Sequence, residues 1–295
     1  MSWPITTIWA TRKSARWFIL CFALTTSLFA QDLQVPASVT AGNEAVIKAA
    51  GSGDATFYLI GPASSVKRSV HLGEDIRLQA EDVQAAGHYI AIACQETCRN
   101  AEFYVVPAKV SYLRLLVHPS RAAVGQSDVL SGVALPFDAY RNLVLNAGAI
   151  DFHLKVGDQD MLSRSISTEA GVAWFRTNSG NRAGALQVVA SAGDITARRV
   201  VQQVASDPCH LQVKADRDAK GIELETDPVR DCAGNPVPDG TIVTFRGTGA
   251  NGVSTVDAPV KQGIARARMI ASGPMQISVA SGVVMGNQVS VGAQR

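Results

Sequence analysis

The sequence predicts an all-β protein built as tandem β-sandwich modules, and three observations carry that expectation. Short β-branched and aromatic runs, such as ATFYLI at 55–60 and HYIAIAC at 88–94, recur with turn formers between them. Beyond the first thirty residues no stretch has convincing helical periodicity; Glu81 to Ala86 has room for one helical turn, which Gly87 would stop. Finally, a turn-and-strand pattern at 231–245, DCAGNPVPDGTIVTF, is met earlier in altered form at 138–152, DAYRNLVLNAGAIDF. The 295 residues suffice for two or three domains. With 47% hydrophobic and 18% charged residues, the chain can bury sizeable cores, and disorder is not expected.

The N-terminus reads as a secretory signal peptide over 1–30. Arg12, Lys13 and Arg16 form its charged region and Trp17 to Phe29 its apolar region. That apolar run is shorter than the ~20 residues a spanning helix needs, and cleavage is expected after Ala30. Phe18-Ile19-Leu20 before Cys21 lacks the small residues of a lipid-attachment site. No later stretch is apolar and long enough to span a bilayer, so no transmembrane segment is expected in the mature chain. Without 1–30, 24 basic side chains face 25 acidic ones, a net charge of −1, against +2 for the whole chain. Near-neutrality gives no electrostatic reason to expect a nucleic acid or an anionic membrane surface as partner.

The first module is expected over 31–109. Asp75 to Ala80 alternates Ile76, Leu78 and Ala80 with Asp75, Arg77 and Gln79, a half-buried strand. His88 to Cys94 and Ala101 to Val106 form a hairpin that Cys94 and Cys98 would close. The second module, 110–206, opens with Tyr112 to His118 and ends in Ala197 to Val204. The third, 207–295, opens with Cys209 to Val213 and closes with Asn287 to Val291. Pro107 and Asp207-Pro208 mark the joints; neither is a long flexible linker, so the modules are expected end to end with limited swing. Four cysteines remain in an exported chain. This even number suggests disulfides, with Cys94–Cys98 and Cys209–Cys232 as the natural pairs.

In the third module Asp231, Gly234, Asn235 and Pro236 are turn formers by side-chain capping, tolerance of positive φ and fixed φ, and Pro238, Asp239 and Gly240 close the turn. The repeat aligns Asp138-x-x-x-Asn142 with Asp231-x-x-x-Asn235, Phe152 with Phe245, and Gly171-Val172-Ala173 with Gly263-Ile264-Ala265. These residues resemble the bacterial group 1 immunoglobulin-like family of invasin- and intimin-type surface proteins. The match runs D-x-x-G-N-P-V-P-D-G-T-x-V-x-F at 231–245, G-x-A at 263–265 and G-x-x-x-I-x-V at 273–279. The second module is an eroded version, with Arg141 in place of the glycine and Leu143 and Leu145 in place of the prolines. The resemblance implies three tandem immunoglobulin-like β-sandwich domains used as spacer or adhesive modules, with no catalytic residues.

Motifs for chemistry are absent from the sequence. His71, His88, His118, His153 and His210 form no paired metal motif, and there is no G-x-S-x-G elbow or phosphate loop. Asp216 to Gly221, DRDAKG, begins like a calcium loop, but Lys220 stands where an oxygen ligand is needed, so a hairpin tip is the better reading. Trp174 and Phe175 are adjacent on a strand, so one ring is expected in the core. Tyr58, Tyr89 and Tyr104 form either a small exposed stripe or core and cross-strand pairs. The expectation is an exported, non-enzymatic binding, adhesion or scaffolding protein, with no cofactor and no metal, that meets a protein or glycan partner at the cell envelope. Its place is periplasmic, cell-surface or secreted. The alternative is a periplasmic accessory subunit of an envelope enzyme or secretion assembly.

Overall fold

The computed structural model describes residues 33–292; the expected leader lies outside the described residues. Three hydrophobic cores follow one another along the chain, each enclosed by its own strands.

The first core is enclosed by β1 (Leu33–Gln34), β2 (Ser38–Thr40), β3 (Ala45–Ala49), β4 (Gly53–Ile60), β5 (Ser65–Leu72), β6 (Asp75–Leu78), β7 (Gly87–Cys94) and β8 (Cys98–Val106). They form two sheets, β1-β3-β6 and β2-β8-β7-β4-β5. Strand β4 alternates Ala55, Phe57 and Leu59 inward with Thr56, Tyr58 and Ile60 outward, the period of two that a sheet with one buried face demands. The turn before β7 is a 3-10 helix at Ala80–Val83 whose Val83 is fully buried. The three tyrosines divide. Tyr89 is in the core against Phe103, Tyr104 is exposed and pairs across strands with His88, and Tyr58 lies under Lys67.

The second core is enclosed by β9 (Tyr112–His118), β10 (Arg121–Ala123), β11 (Leu130–Phe137), β12 (Ala149–Val156), β13 (Gln159–Ser167), β14 (Ala173–Thr177), β15 (Gly184–Ala192) and β16 (Ile195–Val204). Here the sheets are β10-β16-β15-β12-β13 and β14-β11-β9. Phe152 and Phe175 meet edge to face at 4.9 Å in the core. Phe175 fits because Gly132 lies opposite it; a Cβ there would come within 2.3 Å of the ring. Trp174 consequently points outward.

The third core is enclosed by β17 (Pro208–Cys209), β18 (Val213–Asp218), β19 (Gly221–Thr226), β20 (Arg230–Asp231), β21 (Ile242–Gly249), β22 (Gly252–Lys261), β23 (Ile264–Met269), β24 (Met275–Ser281) and β25 (Val284–Val291). Strand β22 pairs with β21 from Gly252 to Pro259, and its last two residues pair with β23, so the two faces of this sandwich are joined through one strand. The expected opening strand at Cys209 to Val213 is divided instead: β17 ends at Cys209, His210 turns at φ 56°, and β18 begins at Val213. DRDAKG is the tip of the β18–β19 hairpin. Burying each core phenylalanine contributes about 1.5–3 kcal/mol, and Phe57, Phe152 and Phe245 are each fully buried, one in each core.

Candidate functional site at the module junctions

Successive modules meet through one loop and one turn. The loop is the one leading into β7 in the first module and into β15 in the second. The turn is the Asp-x-x-x-Asn turn of the module that follows. Asp138 is wholly buried and Asp231 is 4% exposed, so each carboxylate must find its partners inside the protein.

At the first junction, Asp138 Oδ1 accepts the backbone N–H groups of Tyr140 (2.9 Å) and Asn142 (2.8 Å). Its Oδ2 accepts the N–H of Ala108 in the linker (2.9 Å) and an Nδ2–H of Asn142 (2.8 Å). Asn142, oriented in this way, reaches back into the first module. Its Oδ1 accepts the Ala86 N–H at 2.8 Å, and its Nδ2 donates to the Gln84 carbonyl at 2.8 Å. The second junction repeats the device. Asp231 Oδ1 accepts from Ala233 (2.9 Å) and Asn235 (2.8 Å), and Oδ2 accepts from Ser206 of the linker (3.1 Å). Asn235 Oδ1 accepts the Ala183 N–H at 2.9 Å, and Nδ2 donates to the Asn181 carbonyl at 2.8 Å. The Asp thus ties linker to turn, and the Asn ties turn to the preceding module. Bonds to an ionised carboxylate are the stronger members of this set.

Burial pushes the Asp231 carboxyl up, but the bonds from the Asn235 side chain and backbone, from Ser206 and from Ala233 outweigh it and hold the group below its ordinary value. The turn also survives the erosion of its sequence. Gly234 sits at φ 86°, and Arg141 at the same place holds φ 71° without glycine's freedom. Asp239 caps the β22–β23 turn by accepting the Gln262 N–H at 2.9 Å, and Gly240, at φ 91°, donates to the Val260 carbonyl at 2.8 Å. Pro236 bridges to Arg230 and leads into buried Val237.

Around the shared clip the two junctions differ. At the first, the Tyr140 ring lies directly on Gly42, whose φ is +75°; a Cβ on Gly42 would fall 2.0 Å from the phenol oxygen. Gly125 holds the same place in the second module, since Ala41 and Val124 make matching bonds to Val106 and Val204, yet nothing lies within 4 Å of its Cβ position. The second junction keeps an open groove of about 260 Å³ beside Gln126, Ser206 and Pro238. Here the staple is covalent: Cys209, after the linker, is bonded to Cys232, next to Asp231. The other disulfide, Cys94–Cys98, closes the β7–β8 hairpin.

The sequence pattern marked the Asp and Asn positions, but not their partners, which are backbone atoms of Gln84, Ala86, Asn181 and Ala183. At the far end of the third module the corresponding loop, before β24, is held from within: Arg217 donates to the carbonyls of Ala271 and Gly273. Asp218 in DRDAKG is taken up by Arg268 and by the Lys220 N–H, which hold its carboxyl below the usual range. Among the described residues no three His, Cys, Asp or Glu side chains converge as a metal site. His71 and His88 each meet a single carboxylate, Asp54 and Glu102, at 3.0 Å. No helix of the described residues is long and apolar enough to cross a membrane.

No protein-family model matches the chain, nor does any curated protein sequence. Among solved structures, the chain is similar to FdeC, a broadly conserved Escherichia coli adhesin, at a TM-score of 0.60 and 15% identity, over 88% of this chain and 95% of that one. It is also similar to invasin, a bacterial integrin-binding protein, at a TM-score of 0.50 and 13% identity, over 88% of this chain and 59% of that one; it therefore spans a little over half of the invasin structure. The chain has the tandem immunoglobulin-like β-sandwich fold found in these bacterial adhesin and invasin structures.

Proposed function

We propose that this protein is an exported, non-enzymatic binding rod of the bacterial cell envelope, which presents its sheet faces and loops to a protein or glycan partner. The repeated junction clip carries the reading. A carboxylate and a carboxamide at each joint fix one module against the next, and such joints suit a protein that must hold a binding surface at a distance. The likeness to an adhesin and to an integrin-binding protein supports the same reading. Two disulfides suit an oxidising compartment.

The test is protease treatment of intact cells, followed by detection of the third module. Loss of the module from intact cells is the expected result. Protection until the envelope is opened would overturn surface display and favour a periplasmic accessory subunit.

A further inference from the structure

The internal repeat supplies a control that shows what the three-stranded face of the second module does not need for folding. In sheet β14-β11-β9 the outward side chains lie in rows set by the register. Leu116 and Trp174 flank Val133, Arg114 lies beside Leu135, and His118 and Arg176 flank Ser131. Leu116 is 60% exposed and Trp174 61%. Tyr112 and Phe137 extend the face as a stacked pair at 5.3 Å, with the Arg114 guanidinium over the Phe137 ring. The related sheet of the third module has the same strands in the same order, β18-β19-β23. There the row matching Leu116–Val133–Trp174 is Lys214–Glu225–Arg266, and the next is Asp216–Glu223–Arg268. Those rows are closed by ion pairs, Arg266 to Glu225 at 2.7 Å and Arg268 to Asp218 and Glu223. The fold therefore accepts a solvated ladder of charges at this place, and the second module carries a bare apolar row instead. A lone exposed leucine needs no explanation, but a row of apolar groups that includes an exposed tryptophan does.

We infer that this face of the second module is a docking surface for a protein partner with an apolar centre and an acidic rim. The inference deepens the reading of the protein as a binding rod and rests on it. Charge decides the partner's sign. The outward side chains of β9, β11 and β14 include Arg114, Arg176 and His118 and no carboxylate. Among the described residues neither arginine forms an ion pair: Arg114 covers Phe137, and Arg176 donates through Nε to the Asp128 carbonyl. Chemistry decides the partner's class. A sugar offers hydroxyl donors as well as acceptors, and this face has no carboxylate or carboxamide to receive them. Tryptophan, tyrosine and arginine around an aliphatic centre are the groups that dominate protein–protein hot spots.

The swap L116K/V133E/W174R would place the third module's charged row on the second and is expected to fold as that sheet does. A phage-displayed library of random 12-residue peptides is selected on the wild-type protein and counter-selected on the swap. The expected peptides combine Asp or Glu with aliphatic or aromatic residues and bind the swap at least tenfold more weakly. Trp174 reports the contact directly, because Trp3, Trp9 and Trp17 all lie in the expected leader; its emission should shift to the blue. R114E/R176E keeps the apolar row and should also lose binding at least tenfold, whether or not the swap folds. Three outcomes would overturn the inference: no peptide that distinguishes wild type from either variant, selected peptides without acids, or binding to arrayed glycans that either variant abolishes. Concentration-dependent self-association lost in the variants would overturn it too, making the face a contact between copies. In each of those cases the cell-surface test of the rod remains independent.

Discussion

The two junctions share a clip and differ in what seals it. At the first, an aromatic ring covers a glycine; at the second, a disulfide ties the strand that follows the linker to the clip, and the glycine's surroundings stay open. The shared part therefore has to do with orientation, since it repeats atom for atom where the sequence has diverged. The variable part has to do with strength, and either a packed ring or a covalent bond can supply it.

The largest expected asymmetry is redox. Replacing Cys209 and Cys232 with serine should lower the stability of the third module by about 2–5 kcal/mol, read by thermal denaturation. Reductant should do the same to the wild-type protein while leaving the first junction closed, as judged by limited proteolysis at 107–109. An unchanged melting temperature would mean that the disulfide adds nothing to the clip. Next come Asp138→Ala and Asp231→Ala, each expected to cost about 2–3 kcal/mol because several part-buried N–H groups lose their shared acceptor. Here the junctions should respond alike, with new cleavage in each adjoining linker. A silent substitution at either one would end the equivalence.

Smaller effects sharpen the difference. Gly125→Ala should cost only about 1–2 kcal/mol, for its left-handed backbone, whereas Gly42→Ala should cost more because Tyr140 must also move. Tyr140→Ala combined with Gly42→Ala should bring the two glycine sites to the same value. The pH effect is the gentlest. Asp231 has a depressed folded value, so its contribution is fully present above its unfolded value of about 4 and is lost as pH falls through the folded value. Opening of the second junction in acid, and not between pH 5 and 8, is the expected titration. Asp231→Asn should remove that acid dependence.

The sandwich class was legible because the strands alternate cleanly and the turns between them are rich in glycine, proline and aspartate. The repeat also marked Asp138 and Asn142, which persist where Gly and Pro are lost; in the structure Asp138 bonds the linker and Asn142 bonds the preceding module. What the repeat could not reveal is the far side of each joint. The acceptor and donor there are backbone groups of Gln84, Ala86, Asn181 and Ala183, and a backbone atom leaves no mark on residue type. Alternation required one of Trp174 and Phe175 to be buried, but the choice lay with Gly132 on the neighbouring strand, which makes room for the phenylalanine. Tyr140 gave no signal either, because its partner, Gly42, belongs to another module.

Asn142 and Asn235 each bond the backbone of the preceding module, and this pair of contacts is what orients the three modules. Small-angle X-ray scattering of the wild-type protein and of Asn142→Ala/Asn235→Ala tests that most directly. The wild type should give the profile calculated from one fixed arrangement. The double variant, still folded by circular dichroism, should require a broadened set of arrangements with a changed maximum dimension. Superimposable profiles from the two proteins would contradict the account and place the stiffness of the junctions elsewhere.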